Sequence, residues 1–204
     1  MDKEAAKKIL FDVADTLEEF GIQFFLSDGI CLGAYRERDF IEYDDDVDLK
    51  AIAEDFIPKY PLLHKKLENK GYRLWNPVVF NVMRKKGLLP FQGIDRSFID
   101  TRVAAQRGKS QLDICSLHLI GNARWQWGRY WKLAFPARLF DNPEKIVFLG
   151  REFNIPTPVT EYLEIMYGLD YMTPKRRGEY VRPEKFWKLC RLEFGEKELS
   201  EKLT

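Results

Sequence analysis

Two aspartates separated by one apolar residue are the first sign of chemistry in this sequence. Asp46 and Asp48 flank Val47 in a segment with strand character that continues to Leu49. Because side chains alternate along a strand, we expect the two carboxylates to share one face while Val47 and Leu49 point into the core. Adjacent carboxylates repel each other unless a cation lies between them. Mg²⁺ takes oxygen ligands and keeps substrate phosphates in its shell, so the pair predicts a metal-bound phosphate site.

A glycine turn lies upstream of these aspartates. An apolar strand ending at Leu26 leads into Ser27, Asp28 and Gly29, and a short helix that carries Arg36 follows. Backbone N–H groups at the start of a helix attract anions. The turn therefore predicts an anion-binding position, and we expect Arg36 to add a positive charge for a donor phosphate.

A third carboxylate, Asp113, lies between Leu112 and Ile114 in an alternating strand. Burying an unpaired charge is costly, so such an aspartate needs a partner. One interpretation is a hydrogen-bonded residue at a strand end. The favoured one is a strand beside Asp46 and Asp48, with the three carboxylates around one or two metal ions. Such a site suits phosphoryl or nucleotidyl transfer.

Composition limits the classes of protein that fit. The chain has 204 residues, of which 45% are hydrophobic, and this length favours a single domain. Its 33 basic and 32 acidic residues nearly cancel, which argues against a nucleic-acid partner. The three cysteines are far apart and predict reduced thiols rather than a zinc site. The sequence shows neither a signal peptide nor a transmembrane run, so we expect a cytoplasmic protein whose acceptor could lie at a membrane surface.

The order of predicted elements indicates an α+β fold, a mixed sheet flanked by helices. We expect one domain over residues 1–204, with a catalytic sheet at roughly 20–120 and a helical and hairpin extension at roughly 121–204. Apolar periodicity and turn residues predict the individual elements. The helices are expected at 2–20, 61–67, 122–133, 158–167 and 183–194, and the strands at 22–26, 45–51, 72–75, 78–83, 98–105, 112–117 and in a hairpin at 146–155.

These motifs together resemble a known family. The segment 21–49, the aspartate strand at 112–114 and the stretches 162–163 and 167–174 are similar, in the same order, to the LicD family. That family includes bacterial phosphocholine transferases and the fukutin-related proteins. It belongs to the DNA polymerase beta nucleotidyltransferase superfamily, so the resemblance implies a mixed sheet of that type with a C-terminal helical part.

The resemblance also implies a reaction. A phospho-alcohol, such as phosphocholine or ribitol phosphate, would pass from a CDP-linked donor to a glycan hydroxyl with release of CMP, using Mg²⁺ or Mn²⁺. Asp46 and Asp48 match the family's metal-binding pair and Asp113 its third carboxylate. Ser27 and Gly29 match the turn that holds phosphate, whereas Asp28 stands where the family commonly has a glycine.

Three other functions remain open at this stage. A nucleotidyltransferase acting on a small molecule would release pyrophosphate instead of CMP. A glycosyltransferase could use the Asp44–Asp46 pattern to hold a sugar nucleotide through a metal, but Asp48 and Asp113 would then have no role. A non-catalytic module could bind a nucleotide or glycan, although it would have no need for a cluster of mutually repelling carboxylates.

Overall fold

One long central strand, β5 (Ser110–Ile120), organises the fold. The computed structural model describes residues 2–42, 44, 46–75, 102–108, 110–127, 131–176 and 179–192. Its helices are α1 (Lys3–Glu19), α2 (Asp28–Arg36), α3 (Ala53–Asn69), α4 (Val159–Tyr167) and α5 (Glu184–Leu189). Its other strands are β1 (Phe24–Leu26), β2 (Val47–Ile52), β3 (Arg73–Trp75), β4 (Arg102–Arg107), β6 (Ala123–Trp127), β7 (Trp131–Pro136), β8 (Glu144–Phe148), β9 (Arg151–Ile155) and β10 (Cys190–Leu192).

Within these residues the main sheet is mixed. Its path runs β1-β2-β5-β6-β7-β10, and β4 joins β3 to β5. The β2–β5 pairing is parallel, while the other pairings described are antiparallel. Strands β8 and β9 form a separate hairpin. The predicted α+β class with a mixed sheet and flanking helices is confirmed.

The two faces of β2 and β5 have different chemistry. Val47 and Leu49 on β2 and Leu112 and Ile114 on β5 are all buried, and helices α1 and α3 pack against β5. The alternate positions carry polar side chains, so the opposite face of the same two strands presents Asp48, Lys50, Asp113 and Cys115. The aspartates are therefore held by strands whose other face is fixed in the core.

Several predicted elements are confirmed. Helix α1 begins after Asp2, whose side chain accepts a hydrogen bond from the Ala5 N–H. The hairpin β8–β9 turns at Gly150, which has a φ of 88°. Helix α4 ends at Gly168, whose φ of 87° lies in a region that favours glycine. None of the described helices is long and apolar enough to cross a membrane.

The helix predicted over 122–133 is wrong. The chain instead makes a tight turn at Gly121, which has a φ of 62°, and continues as β6 and then β7. Alternation of Trp125 and Trp127 with Arg124 and Gln126 is a strand pattern, and aromatic side chains favour strands. The sheet thus extends beyond residue 120, where the catalytic sheet was expected to end.

Other boundaries also differ from the prediction. Helix α3 begins at Ala53 rather than Pro61 and contains both Pro58 and Pro61 in its interior. The last helix ends at Leu189, after which β10 pairs with β7. Strand β3, predicted over 72–75, pairs with β4, which overlaps the strand predicted over 98–105. The strand predicted over 78–83 lies outside the described residues.

Gly33 allows helix α2 to approach the loop that leads to the aspartates. A Cβ at this position would lie 2.6 Å from the Asp39 backbone oxygen and 3.4 Å from Ile41. We predict that Gly33→Ala lowers the free energy of unfolding by about 1–3 kcal/mol, since overpacking outweighs the gain in helix propensity. Urea denaturation measures the change. Lys65→Ala, on an exposed position of α3, is the control and should differ from wild type by less than about 0.5 kcal/mol.

Candidate active site

A cavity of about 480 Å³ lies where α2, the aspartate segment and the C-terminal part of the described chain meet. Its lining consists of acidic, basic, aromatic and other side chains from these three regions, together with one residue each from β5 and β6. The lining residues are Asp28, Gly29, Leu32, Arg36, Ile41, Asp44, Asp46, Asp48, Cys115, Gln126, Met166, Tyr167, Asp170, Tyr171, Thr173, Lys175, Arg176, Tyr180, Arg182 and Phe186.

Three aspartates of one segment, Asp44, Asp46 and Asp48, form the acidic wall of this cavity. Asp46 is exposed just before β2, and Asp48 is partly buried within it. The Asp46 N–H donates to Asp44 Oδ1 at 3.4 Å. Asp44 Oδ2 lies where a Cβ on Gly29 would be only 1.7 Å away, so glycine at position 29 allows the carboxylate to approach the start of α2. The structure thus places both predicted metal-binding aspartates in the cavity wall.

Asp113 is brought to the same face of the sheet. It is the register partner of Asp48 across the parallel β2–β5 pair and is only 3% exposed. Gln111 Nε2 donates to its Oδ1 at 3.0 Å. Among the residues that the structure describes, no three His, Cys, Asp or Glu side chains are grouped closely enough to hold a metal ion. The predicted role of Asp113 as a third ligand therefore stays a prediction.

The donor set nevertheless fits a hard divalent cation. Mg²⁺ in proteins is commonly held by one or two carboxylates together with substrate phosphates and water. Asp46 and Asp48 supply carboxylate oxygens at the cavity wall, which is open enough to admit a phosphate. These two residues are the ones that would hold the ion.

The glycine turn lies against the acidic wall. The Ser27 N–H donates to the Asp48 carbonyl oxygen at 3.2 Å, which ties the turn to β2. Ser27 is fully buried. Of the three residues of the turn, Asp28 and Gly29 line the cavity, whereas Ser27 does not.

Asp28 is held by Lys50 and Tyr162, two contacts that the sequence did not predict. Lys50 Nζ lies 2.5 Å from Asp28 Oδ2, and the Tyr162 hydroxyl accepts a hydrogen bond from the Asp28 N–H at 3.1 Å. Burial disfavours the charged carboxylate, but the charge and hydrogen bond of Lys50, with a contribution from Arg182, lower the pKa of Asp28. Burial and the Asp28 charge raise the pKa of the Tyr162 hydroxyl well above its usual value. Asp28 is therefore an ionised carboxylate that faces a lysine.

Arg36 lines the cavity, but its guanidinium has protein partners. Nη1 donates to the Tyr171 carbonyl oxygen at 3.0 Å, while Nε and Nη2 donate to Glu37 Oε1 at 3.1 and 2.5 Å. These contacts connect α2 to the segment after α4. Its predicted binding of a donor phosphate remains a prediction.

Basic and aromatic side chains from the segment after α4 form a second wall of the cavity, the basic and aromatic wall. Lys175, Arg176 and Arg182 all line the cavity. The Arg182 guanidinium carbon lies 5.3 Å from the Tyr180 ring centroid and 4.7 Å from that of Phe186. Arg182 Nη1 also donates to the Met166 carbonyl oxygen at 3.3 Å. The cavity lining thus contains both carboxylates and cations, and one of the cations, Lys175, pairs with Asp170 of the same lining at 2.7 Å.

Gln126 on β6 is a further polar residue that sequence reasoning missed. It is 5% exposed and lines the cavity, and its Oε1 has no hydrogen-bond partner among the described residues. An unpaired buried amide oxygen is costly. A bound ligand with an N–H or O–H group would supply the missing bond.

A family model described as "LicD/FKTN/FKRP, nucleotidyltransferase domain" matches residues 21–158, which include the turn, the acidic wall, Asp113 and Gln126. The chain belongs to the LicD family. This match confirms the predicted family and supports the prediction that the chain is a transferase.

Curated relatives extend the similarity. The human protein "Ribitol-5-phosphate transferase FKTN" is 27% identical over 191 residues, covering 91% of this chain. The mouse protein of the same name is 26% identical over 197 residues. The chain spans only 38% of the length of each of these proteins. An uncharacterised Caenorhabditis elegans protein is 47% identical over 57 residues, 28% of this chain and 15% of its own.

A solved structure supports the fold. The solution structure of the antibiotic-resistance factor ANT(2'')-Ia matches 92% of this chain and 81% of its own, with a TM-score of 0.50 and 17% identity. Together with the family match, this likeness confirms the nucleotidyltransferase-like fold of the LicD domain.

The Asp28–Lys50 pair should be important for stability. We predict that Lys50→Met lowers the free energy of unfolding by about 3 kcal/mol, because it leaves a partly buried carboxylate without its cation. The double variant Lys50→Met/Asp28→Asn should recover most of this loss, since neither charge remains. Urea denaturation of wild type and both variants measures the effect.

Lys66→Met is the matched control, because Lys66 makes an exposed pair with Glu19 at 2.8 Å. Its loss should be below about 0.5 kcal/mol. An equally small loss for Lys50→Met would contradict the stabilising role of the buried pair.

Proposed function

We propose that this LicD domain is a metal-dependent transferase that moves a phospho-alcohol, such as ribitol phosphate or phosphocholine, from a CDP-linked donor to a glycan hydroxyl. The observation that carries the proposal is the cavity, a space of about 480 Å³ lined both by the aspartates of the acidic wall and by the basic and aromatic wall. Family membership and similarity to ribitol-5-phosphate transferases support the same reaction class.

We assign to the acidic wall the binding of a metal ion that in turn binds the reacting phosphates. Asp46 and Asp48 would hold Mg²⁺ or Mn²⁺, and the bound ion would neutralise charge on the donor phosphates and on the departing CMP. The start of α2, with Gly29 at the cavity surface, would direct its backbone N–H groups to a donor phosphate. The proposed donor site thus combines carboxylates for the ion with N–H groups for the anion.

The transfer itself exchanges one P–O bond for another. The acceptor hydroxyl oxygen forms a bond to the phosphorus that carries the alcohol, and the bond from that phosphorus to the CMP oxygen breaks. The hydroxyl proton must pass to a base, and we assign this role to a carboxylate near Asp48. Asp113 is the candidate, because the strand register sets it beside Asp48 on the same face.

The other wall is assigned to the nucleotide of the donor. Arg176 and Arg182 would offset its negative charge, while the Tyr180 and Phe186 rings lie beside Arg182 where a base could stack. The Gln126 amide oxygen would accept a hydrogen bond from the ligand. These contacts support a nucleotide-linked donor rather than a free phospho-alcohol.

Metal-dependent release of CMP tests the reaction. We predict that one or more donors in a panel of CDP-ribitol, CDP-choline and CDP-glycerol release CMP with a glycan acceptor, that EDTA abolishes the release and that Mg²⁺ or Mn²⁺ restores it. Pyrophosphate release from CTP or ATP would instead indicate nucleotidyl transfer and contradict the proposal. Full turnover in EDTA would contradict the metal dependence.

Removal of single carboxylates tests the site. We predict that Asp46→Asn and Asp48→Asn each lower kcat by about a thousandfold or more while the melting temperature is unchanged or slightly higher, since repulsion between carboxylates is relieved. Asp113→Asn should also lower kcat strongly.

The control is Asp141→Asn, which changes an exposed aspartate outside the cavity lining and should retain wild-type turnover. Near-normal CMP release by the Asp46 or Asp48 variant would contradict the assignment of the acidic wall. Normal activity of Asp113→Asn would remove that residue alone from the mechanism.

A further inference from the structure

Lys50 is a fully buried lysine that pairs with Asp28, a residue of the cavity lining. Its side chain is 0% exposed, and Nζ lies 5.6 Å from the Phe135 ring centroid and 5.7 Å from that of Tyr162. A lysine is rarely buried completely unless it is paired. Its close ionic partner here is Asp28, at 2.5 Å. Apolar residues would fill this space at lower cost, so the presence of the pair calls for an explanation.

Asp28 occupies a position where a negative charge is unfavourable for the proposed reaction. It is the first residue of α2, has a φ of 47° and lines the cavity beside Gly29. The N–H groups that begin a helix are the groups expected to receive a donor phosphate. The Asp44 carboxylate already lies against Gly29, and a second carboxylate with no cation beside it would repel that phosphate further.

Two buried residues hold Asp28. Lys50 Nζ pairs with Asp28 Oδ2, and the Tyr162 hydroxyl accepts a hydrogen bond from the Asp28 N–H, so both the side chain and the backbone of Asp28 are held by residues of the interior. Lys50 projects from β2 on the same face as Asp48, two residues earlier. One strand thus supplies both a carboxylate for the acidic wall and the cation that neutralises Asp28.

We propose that Lys50 is a positioning residue that acts through Asp28: it neutralises this carboxylate and fixes the turn, so that the start of α2 can accept the diphosphate of the donor. The inference rests on the proposed function for the identity of the donor. It predicts a charge-specific effect, because loss of Lys50 should weaken binding of anionic ligands and leave an uncharged nucleoside almost unaffected.

Calorimetric titration with three probes tests the inference. The probes are CDP, cytidine and inorganic pyrophosphate, each titrated in the presence of Mg²⁺ into wild type, Lys50→Met, Asp28→Asn and the double variant. Cytidine has the base and ribose of CDP without its charge, and pyrophosphate has the charge without the nucleoside. The ratio of CDP affinity to cytidine affinity therefore isolates the electrostatic effect from any general damage to the cavity.

Lys50→Met should weaken CDP and pyrophosphate binding about tenfold and change cytidine binding by less than about twofold, because one uncompensated carboxylate faces the diphosphate. Asp28→Asn should strengthen CDP binding relative to cytidine, since the Lys50 charge is then unopposed. The double variant should return the affinity ratio close to that of wild type. In turnover, Lys50→Met should raise KM for the donor more than it lowers kcat.

If Lys50→Met loses the same factor of binding affinity for cytidine as for CDP, the pair only stabilises the fold, and the inference is overturned. An unchanged affinity ratio in Asp28→Asn would overturn it as well, and this variant decides the question if Lys50→Met does not fold. Pyrophosphate binding that responds to the variants, in a protein that does not bind CDP, would support the inference and contradict the CDP-linked donor. A wild-type protein that binds neither anion would overturn the inference.

Discussion

The parallel pairing of β2 with β5 is the constraint on which the rest of the site depends. It joins segments more than 60 residues apart in the chain and sets Asp48 beside Asp113 and Lys50 beside Cys115. The apolar alternate positions, including Leu49 and Ile114, are completely buried and fix the register. A slip of one residue would move the carboxylates into the core and expose the aliphatic side chains, which makes this register strongly specified.

A consequence of this register is a sheet face that is unusually polar for the interior of a domain. The fold accommodates it by pairing Lys50 with Asp28 and by covering both with aromatic rings from β7 and α4. Helix α4 therefore has two functions, because Tyr162 packs against Phe135 and also binds the Asp28 backbone. The segment after α4 then supplies the cationic wall, and Arg36 connects it to α2 through the Tyr171 carbonyl.

Local sequence patterns predicted the parts of this site that depend on short-range periodicity. The two-residue repeat of a strand accounts for Asp48, and Asp46 lies just before the same strand. The Ser27–Gly29 turn required only its position before a helix. Family resemblance and strand character together pointed to Asp113. The Asp28–Lys50 pair joins residues 22 positions apart, and although Asp28 stands where the family commonly has a glycine, no local pattern links it to Lys50. Such contacts arise from tertiary packing and give no periodic signal.

The tryptophan-rich segment shows the opposite problem, a local pattern that fits two structures. Aromatic residues at 125, 127, 130 and 131 satisfy helical spacing, but the turn at Gly121 and the partner strand β7 favour β6. Pairing across the sheet decided between them, as tertiary context often does. The error also hid Gln126, a residue of β6 whose side chain lines the cavity.

The central claim is that Asp46 and Asp48 bind a divalent cation together with the diphosphate of a nucleotide-linked donor. A crystal structure of the protein with Mn²⁺ and CDP tests this claim most directly, because the anomalous signal of manganese locates the ion independently of the protein. The account predicts an anomalous peak between the Asp46 and Asp48 carboxylates, with diphosphate oxygens of CDP in the same coordination shell and close to Gly29. Manganese bound elsewhere, or CDP bound in the cavity without an ion at these two aspartates, would contradict it.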